Sequence, residues 1–509
     1  GRRIGLTLLT AGATPRPGEI VRPAQTSVWG LARVMYLEAG VDLDRVIDLP
    51  TETDDETAEL VARGILDPGS EWQFRICGDE VQVPRLVDVD LPAADLDPGE
   101  GAVLITGGTG GLGLLLARAV IAAGGHDIIL VSRGGRNDAV AELEHELEHE
   151  LEQGVDAGIR VRTFACDIAD RGSVERLAAD LRSEGTRVGT LVHAAGVVEF
   201  RQVCEIDADH LHAGMRAKVG GTDNVVELLG SPERVVLYSS IAAAWGSSGQ
   251  GVYAAANAWL DGEAHRLRAR GVRATSISWG PWAEVGMIRG VEDRMTEFGL
   301  RAMSAETTIG ALAKVLRADL SHAVIAEVDW PTFLENLDFA GPQPLLTEVR
   351  NRRSGEPEPP VDAVDDSVDW TGMDPTEVAR RITELVGADV AAVLGEADTR
   401  GVRPDVPFRD LGFDSLMAVD LRDRLRDATG LRIGAMTIFD HPTVEELAAE
   451  VTRLLTGADA RSQDRRSDEG DGAAAERAGD PGASVDDLDE VSDADELLTL
   501  LEEEFGGIR

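Results

Sequence analysis

Two side chains with acid and amide chemistry are spaced to face the same way on a helix. Tyr253 and Asn257 are four residues apart, and Ser240 precedes Tyr253 by thirteen. Residues four apart lie on one helix face. A carbonyl reduced by hydride develops alkoxide charge, so its oxygen needs a proton donor and hydrogen bonds. A phenol flanked by hydroxyl and amide groups can supply both, although a Tyr-x-x-x-Asn pair alone also occurs in cores and on surfaces.

The phenol needs a neighbour that acidifies it, because its ordinary pKa is about 10. A nearby ammonium stabilises phenolate and lowers that pKa. The chain has only two lysines, Lys218 and Lys314. We predict that Lys218 is the cation that lowers the pKa of Tyr253.

A glycine-rich turn follows the predicted strand Ala102–Ile105 and precedes an apolar helix. Glycines permit a tight turn and close backbone approach to a pyrophosphate, and a helix N-terminus offers free N–H donors. The order of strand, glycines and helix predicts a dinucleotide site, with a plain Gly-rich turn as the alternative. The turn consists of Thr106, Gly107, Gly108, Thr109, Gly110, Gly111, Leu112 and Gly113.

The ends of the following strands complete the predicted cofactor site. Ser132 and Arg133 offer a hydroxyl and a guanidinium to a ribose 2′-phosphate, which an acidic residue would repel. This pair favours NADPH over NADH, unless Arg133 is only a surface arginine. Further cofactor contacts are predicted for Cys166, Asp167, Ile168, His193, Ala194, Ala195, Gly196, Lys218 and Tyr253.

Strands alternate with amphipathic helices around these residues, which predicts a parallel sheet covered on both faces. The predicted strands are Ala102–Ile105, Asp127–Val131, Val161–Ala165, Thr190–His193, Arg234–Tyr238 and Arg273–Ser278. A charged surface helix is predicted at 141–153. Nearer the N-terminus we expect strands at 6–10 and 45–49 and a helix at 27–37.

Together, Ser240, Tyr253, Asn257 and the glycine turn resemble the short-chain dehydrogenase/reductase superfamily. The chain is more closely similar to ketoreductase domains of bacterial modular type I polyketide synthases. Most short-chain reductases carry a lysine where Asn257 stands, whereas an upstream lysine such as Lys218 is typical of polyketide ketoreductases. The resemblance implies that Tyr253 donates the proton, Ser240 holds the carbonyl, and Lys218 and Asn257 tune and relay. It also places the loop 279–282 near the nicotinamide.

The same resemblance implies a stereochemical outcome. Trp245 stands eight residues before Tyr253, as in one class of these domains, and 198–200 (Val-Glu-Phe) replaces the Leu-Asp-Asp of the opposite class. An A-type ketoreductase that gives an L (usually S) hydroxyl is therefore implied. Gln250 stands where epimerising members often carry histidine, which implies no epimerisation. Packing near the site is the alternative role for Trp245.

A second motif surrounds Ser415 in the stretch 411–417, Leu-Gly-Phe-Asp-Ser-Leu-Met. It differs from the Gly-x-Ser-x-Gly elbow of hydrolases. It resembles the acyl carrier protein motif, whose serine bears 4′-phosphopantetheine, and 439–443 matches the start of that domain's last helix. A swinging arm keeps an acyl chain at high effective concentration near several sites. An ordinary helix N-cap is the alternative for Ser415.

The resemblance implies an α/β protein with a Rossmann-like short-chain dehydrogenase/reductase fold, followed by a small four-helix carrier domain. The predicted tail is acidic and mostly disordered. Its helix at 494–505 resembles docking peptides that bind the next synthase subunit, although a solvating tail is the alternative. The predicted segments are 1–98 (truncated cofactor-free structural subdomain), 99–340 (NADPH-binding subdomain), 341–372 (linker), 373–456 (carrier) and 457–509 (tail).

Composition excludes several classes of protein. A net charge of −43, from 92 acidic and 49 basic residues, argues against nucleic acid as a partner. No apolar run is long enough to span a membrane. Three scattered cysteines give no zinc spacing and predict a reducing cytoplasm without a bound metal. The N-terminus, which lacks an initiator Met, indicates a piece of a longer chain.

The leading hypothesis is NADPH-dependent reduction of a 3-ketoacyl thioester held on Ser415, followed by transfer to the next subunit. The implied partners are upstream ketosynthase and acyltransferase domains, a phosphopantetheinyl transferase, a downstream subunit and, in the intact synthase, a second copy. Two alternatives stay open: a free-standing reductase of small ketones, and an inactive reductase-like scaffold. Ser415 and the linker argue against the first, and the intact site residues argue against the second.

Overall fold

The computed structural model describes most of the chain up to residue 456. The described residues are 5–16, 19–38, 43–52, 55–66, 71–152, 158–230, 232–283, 292–337, 343–353, 375–394, 402–411, 413, 417, 421–422, 424–425, 428–429, 438 and 441–456. The chain divides into two compact units, residues 1–333 with 344–351 and residues 334–343 with 352–509. The predicted tail, its docking helix and residues 354–372 of the predicted linker lie outside the described residues.

The first unit begins with a small four-stranded sheet, which we call the structural lobe. Its elements are β1 (Leu6–Ala11), α1 (Pro23–Leu37), β2 (Leu43–Leu49), α2 (Asp55–Leu66), β3 (Gln73–Cys77) and β4 (Glu80–Gln82). Strands β1, β2 and β3 are parallel, and β4 is antiparallel to β3. Helix α1 starts earlier than predicted because Pro23 occupies its first turn, where a missing N–H breaks no hydrogen bond.

An internal carboxylate organises the loop that follows β1. Asp48, at the end of β2, accepts hydrogen bonds from the backbone N–H groups of Ala13 (2.8 Å) and Thr14 (3.0 Å). It also pairs with the buried guanidinium of Arg16 at 2.6 Å. In a nucleotide-binding unit, the loop after the first strand presents its N–H groups to a phosphate. In the structural lobe a side chain of the protein already occupies that position.

The second lobe, which we call the catalytic lobe, contains a seven-stranded parallel sheet in the order β12-β10-β9-β8-β5-β6-β7. Its strands are β5 (Ala102–Thr106), β6 (Asp127–Ser132), β7 (Arg160–Ala165), β8 (Val188–His193), β9 (Arg234–Ser240), β10 (Arg273–Trp279) and β12 (His322–Ile325). The six predicted strands are present, most of them one or two residues longer than predicted. The four-residue strand β12 was not predicted.

Helices cover both faces of this sheet. In chain order they are α3 (Gly111–Ala122), α4 (Asp138–Glu152), α5 (Arg171–Ser183), α6 (Ala208–Met215), α7 (Gly221–Leu228), α8 (Ile241–Trp245), α9 (Gly251–Ala269), α10 (Glu292–Glu297) and α11 (Ala305–Arg317). A π-helical turn, Arg216–Gly220, joins α6 to α7. The short strands β11 (Leu300–Arg301) and β13 (Glu327–Val328) pair with each other. Buried strand residues such as Ile105, Ile128 and Ile129 form cores on the two sheet faces.

The two lobes share a helix–helix contact that depends on a glycine. Helix α1 packs along α9, and a Cβ atom on Gly30 would lie 2.5 Å from the Ala254 carbonyl oxygen and 2.6 Å from Ala258 Cβ. No side chain fits in that space, so the glycine allows the helices to approach closely. The structural lobe therefore supports the helix that carries Tyr253 and Asn257.

The first unit extends into the stretch predicted as linker. Helix α12 (Trp330–Leu337) is followed by α13 (Thr347–Arg353). Leu346 and Val349 are buried, and Leu86 N–H donates to the Leu345 carbonyl oxygen at 2.8 Å. Residues 344–351 thus pack with the reductase-like lobes, although proline-rich composition had suggested a linker from 341.

The described part of the second unit is helical. Its longest helices are α14 (Pro375–Val393) and α15 (Val444–Thr456). Val378, Ile382, Val386 and Val390 recur every four residues on α14 and are buried, because that spacing places them on one face. They share a core with Leu447 and Val451 of α15 and with Phe408 and Phe413.

Candidate active site

The glycine turn lies at the carboxyl end of β5 and presents bare backbone. Gly107 has a φ of +68°, which favours glycine, and a Cβ atom on Gly108 would lie 2.6 Å from the Ile105 carbonyl oxygen. A side chain on Gly113 would lie 2.5 Å from Gly108 Cα. Gly110 precedes α3 and contributes no capping side chain. The first N–H groups of α3 are therefore available to a phosphate, and the cradle fits a dinucleotide.

The predicted 2′-phosphate position lies beside this turn. Thr109 Oγ1 donates to Ser132 Oγ at 2.8 Å, and Asn137 Nδ2 donates to the Thr109 carbonyl oxygen at 3.1 Å. Arg133 follows Ser132 and is exposed. The Ser132 hydroxyl therefore borders the turn, and Arg133 is the next residue along the chain. A hydroxyl and a guanidinium are a donor set that fits a phosphate dianion.

The end of β7 places the predicted adenine contacts. Cys166 and Ile168 are buried, and burial raises the pKa of the Cys166 thiol to about 11. The carboxylate of Asp167 accepts from Ala169 N–H at 3.0 Å and pairs with Arg216 at 3.1 Å. Asp167 thus contacts the π turn that carries Lys218.

Strands β5 and β8 are neighbours at the point where the strand order reverses, which is where open α/β sheets bind ligands. At their ends, Thr106 Oγ1 and His193 Nδ1 lie 2.8 Å apart. Burial and the nearby Lys218 lower the pKa of His193 to about 3, so the imidazole is neutral. Ala194 and Ala195 continue along this edge, and a Cβ atom on Gly196 would lie 2.8 Å from Lys218 Cε.

Three predicted catalytic residues converge at the end of β9. Ser240 ends the strand and caps α8, where its Oγ accepts from Ala242 N–H at 3.2 Å. Tyr253 and Asn257 follow in α9, and Asn257 Nδ2 donates to the Tyr253 carbonyl oxygen at 2.8 Å. Asn257 is fully buried. The shared helix face predicted from the four-residue spacing is thus present.

Lys218 reaches the same place from the π turn. Its side chain is buried, and Nζ donates to the Tyr238 carbonyl oxygen at 2.8 Å. Nζ lies 5.9 Å from the centroid of the Tyr253 ring. Burial lowers the pKa of Lys218 to about 8, and the carboxylate of Asp261 opposes that shift. The sequence did not predict that the backbone of Tyr238 would hold this lysine.

The surroundings of Tyr253 shift its pKa. Burial raises the pKa of Tyr253, and hydrogen bonds with Ser240 and Asn257 offset only part of that rise. Lys218 donates its hydrogen bond to the Tyr238 carbonyl oxygen. That Lys218 acidifies the phenol therefore stays a prediction.

A pocket opens above Tyr253. Its walls come from the loop after β8, from α6 and from the start of α9, and its lining residues are Val197, Glu199, Arg201, His210, Gly214, Gly249, Val252 and Tyr253. Tyr253 thus shares this pocket with residues of the loop after β8.

The two residues linked to stereochemistry lie on different sides of this region. Trp245 is buried, and its ring makes edge contacts with Trp330 and Phe333, with centroids 6.2 and 5.4 Å apart. Gln250 precedes α9 and forms a backbone bridge with Arg201 beside the pocket. Trp279 and Trp282 pack edge to face, with centroids 4.9 Å apart, against Tyr238.

Ser415 lies outside the described residues, as do Phe439 and Asp440. Of the flanking motif, Phe413 is buried and its ring lies 5.1 Å from that of Phe408. Phe413 N–H donates to the Phe408 carbonyl oxygen at 3.0 Å. The residue two positions before Ser415 is therefore anchored in the core of the second unit.

Known proteins match both units of the chain. The family model described as the KR domain matches residues 101–284, and the one described as a phosphopantetheine attachment site matches 384–451. Erythronolide synthase EryA3 of Saccharopolyspora erythraea is 39% identical over 89% of this chain and 14% of its own length. Pikromycin polyketide synthase component PikAIII of Streptomyces venezuelae is 36% identical over 84% of this chain and 28% of its own.

Solved structures match the first unit. PlmKR1, the ketoreductase from the first module of phoslactomycin biosynthesis in Streptomyces sp. HK803, superposes with a TM-score of 0.62 and 36% identity. The match covers 67% of this chain and 79% of that one. A structure described as an A1-type ketoreductase has the same TM-score and identity and covers 68% and 74%.

This chain belongs to the ketoreductases of modular polyketide synthases. It combines a short-chain dehydrogenase/reductase fold with a phosphopantetheine-binding carrier domain, as the sequence predicted. A KR domain implies NADPH as cofactor, and the carrier domain implies a 4′-phosphopantetheine group. The ketoreductase chain spans well under a third of the length of these synthases.

In the described part of the chain, no helix is long and apolar enough to cross a membrane. No group of three or more His, Cys, Asp or Glu side chains among the described residues is arranged to hold a metal ion.

Proposed function

We propose that this chain reduces a 3-ketoacyl thioester to the 3-hydroxyacyl thioester with NADPH, while the acyl chain is attached through phosphopantetheine to Ser415. The observation that carries the proposal is the convergence of Ser240, Asn257 and Lys218 on the half-buried Tyr253, in the same lobe as the bare glycine turn. Metal ions have no part in this proposal, since hydroxyl and ammonium groups provide the polarisation.

The chain's own residues manage the proton and the developing charge. When bound, reduced nicotinamide supplies a hydride to the carbonyl carbon. Ser240 donates a hydrogen bond to the carbonyl oxygen, and Tyr253 transfers its phenolic proton to that oxygen as negative charge builds up. The raised pKa of Tyr253 does not prevent this transfer, because an aliphatic alkoxide is a stronger base than a phenolate.

Lys218 and Asn257 prepare the phenol for a second turnover. Loss of the proton leaves a phenolate, which the Lys218 ammonium stabilises through space until a proton from solvent restores the phenol. Asn257 bonds the Tyr253 backbone and fixes the position of that residue on α9. The cofactor would lie along the glycine turn, with Ser132 and Arg133 at its 2′-phosphate and Asp167 and Ile168 at its adenine.

The stereochemical part of the proposal depends on similarity. The chain resembles A-type ketoreductases, so we propose an L (S) hydroxyl and, from Gln250, no epimerisation of the α-carbon. Trp245 packs against Trp330 and Phe333 and is not among the pocket-lining residues. Any influence of Trp245 on the product would therefore act through the segment between α8 and α9, which begins directly after it.

NADPH consumption with a diffusible 3-ketoacyl N-acetylcysteamine thioester tests this function. The unmodified chain should oxidise NADPH and form the S alcohol. Tyr253→Phe should lower kcat by at least about a hundredfold, because general acid catalysis of this kind contributes 10²–10⁴. Tyr36→Phe is the matched control, since that ring stacks on Trp72 in the structural lobe. Absence of turnover in the unmodified chain would favour the inactive scaffold.

Mass spectrometry tests the carrier role. Treatment with a phosphopantetheinyl transferase and CoA should add the mass of one phosphopantetheine to the intact protein, and fragmentation should place it on Ser415. Ser415→Ala should show no gain. A gain on any other peptide contradicts the assignment.

The remaining proposals concern partners. Similarity to synthases much longer than this chain supports upstream ketosynthase and acyltransferase domains on the same polypeptide and a homodimeric assembly. We propose that the predicted helix at 494–505, outside the described residues, binds a downstream subunit. The acyl group on Ser415 would then be transferred to that subunit.

A further inference from the structure

The structural lobe contributes a carboxylate to the two loops that border the pocket. Glu38 directly follows α1 and is only 7% exposed. Its Oε2 accepts from Val203 N–H at 2.6 Å, and its Oε1 accepts from Gly249 N–H at 2.7 Å. These partners are 165 and 211 residues away in sequence. One side chain therefore joins the loop after β8 to the loop before α9.

Both loops belong to the pocket. Gly249 lines it directly, and Val203 ends the loop that contributes Val197, Glu199 and Arg201. Arg201 N–H donates to the Gly249 carbonyl oxygen at 2.7 Å, so both the N–H and the carbonyl group of Gly249 are hydrogen-bonded. Glu38 and the Arg201–Gly249 hydrogen bond therefore connect the two loops at neighbouring points of the pocket wall.

The C-terminal part of α1 also forms a hydrogen bond with α8, which precedes the loop before α9. Arg33, one turn before Glu38, donates to the Ala243 carbonyl oxygen and to Gln73 Oε1. The segment between Ser240 and Tyr253 is therefore bonded to α1 near both of its ends. The structural lobe fixes this segment by directed hydrogen bonds in addition to the helix packing described above.

We propose that Glu38 is a positioning residue for ketone reduction, whose carboxylate sets the separation of the two pocket loops and so the orientation in which the ketone meets Tyr253. This inference rests on the proposed function. A carboxylate is needed because two N–H groups point at it, and an amide would present its own donor to one of them. Glu38 acts through these loops and contacts no reacting atom.

Glu38→Gln tests the proposal by the division of its effect between KM and kcat. With the N-acetylcysteamine thioester of 3-oxopentanoic acid, KM should rise about tenfold, the effect of losing one charge-assisted hydrogen bond. We expect kcat to change by less than about threefold and the share of the minor alcohol enantiomer to increase, with NADPH affinity unchanged. Glu71→Gln is the matched control, because it removes the partner of Arg85 in the same lobe, away from the pocket.

A backbone variant tests the same contact from the other side. Val203→Pro removes the N–H that Glu38 accepts, and proline fits because the preceding Gln202 is extended, with φ −64° and ψ 149°. It should reproduce the KM and product effects of Glu38→Gln, whereas Val203→Ala, which keeps the N–H, should not. In the double variant Glu38→Gln/Val203→Pro the effects should be less than additive.

Three outcomes separate the possibilities. The proposal is overturned if Glu38→Gln and Val203→Pro both keep the KM and the product ratio of the unmodified chain, or if they lower only thermal stability and NADPH binding. If Glu38→Gln does not fold, the pair Val203→Pro and Val203→Ala decides by the same measurements. Absence of turnover in the unmodified chain refutes the proposed function and removes this inference with it.

Discussion

At the scale of one residue, Lys218 lowers the stability of the fold while it contributes to the proposed reaction. The ammonium is buried and keeps one hydrogen bond, to the Tyr238 carbonyl oxygen. Burial disfavours its charge, which is why its pKa falls to about 8 from the usual 10.5. A cation held under those conditions costs folding free energy, and in the proposed function this cost is offset by stabilisation of the Tyr253 phenolate. The only other lysine, Lys314, is exposed on α11.

Lys218→Met should therefore make the cofactor-free protein more stable at pH 7 while abolishing most turnover. The depressed pKa corresponds to a cost of about 3 kcal/mol, of which the lost hydrogen bond returns about 1 kcal/mol. A net gain of about 1–2 kcal/mol is expected in urea unfolding. Lys314→Met should show none. A variant less stable than the unmodified protein at pH 7 would contradict a penalised ammonium.

The pH dependence of that gain has a defined sign. Between pH 8 and pH 10.5 the folded protein binds fewer protons at Lys218 than the unfolded chain does, so the unmodified protein gains stability as pH rises. The advantage of Lys218→Met should be constant below pH 8 and shrink through that window. Unfolding at pH 7 and pH 10 measures it.

At the scale of elements, the contact between α1 and α9 connects the structural lobe to the chemistry. Helix α9 carries Tyr253 and Asn257 and borders the pocket at Val252. Gly30 permits the close approach of α1, and Glu38 and Arg33 at the end of α1 bond the neighbouring loops. A small shift of α1 would therefore reach the proton donor without any change in the catalytic lobe's own sequence.

Gly30→Ala should lower both stability and activity. Its methyl group would lie 2.5 Å from a backbone oxygen of α9, so the helices must separate, at a cost of about 1–3 kcal/mol. We expect a lower midpoint in thermal unfolding and a lower kcat. Gly310→Ala in α11 is the matched control, because nothing lies within 4 Å of its new Cβ. That variant should be as stable as the unmodified protein or more so, and equal behaviour of the two variants would contradict tight packing at Gly30.

Elements of this kind could be predicted from sequence only where the pattern is local. The six longer strands of the catalytic lobe are apolar runs between turn signals, and the glycine turn follows the first of them. Strand β12 has four residues, and β3 alternates polar and apolar residues, so neither stood out. Glu38 could not be predicted, because its partners are set by the packing of the two lobes. The rise that burial causes in the pKa of Tyr253 could not be predicted either, because burial depends on the packed structure.

At the scale of the whole molecule, the reductase and the carrier are two separate compact units on one chain. The family combines them because a thioester intermediate has to be presented to an active site without being released. Covalent attachment replaces diffusion with a local concentration set by the connecting chain, on the order of millimolar for a short flexible connection.

The proposed attachment of the substrate to Ser415 predicts that reduction is a first-order process. When a 3-ketoacyl group is loaded on Ser415 of the full chain, the single-turnover rate constant for NADPH oxidation should stay the same over a tenfold dilution of the protein. The reason is that the ketone and Tyr253 are on the same molecule, so their local concentration does not depend on dilution. The rate with the diffusible thioester should instead fall in proportion to its concentration. Ser415→Ala, which cannot be loaded, should show no first-order phase. A rate constant that falls with dilution would mean that carriers serve ketoreductases on other chains, since only encounters between molecules depend on their concentration.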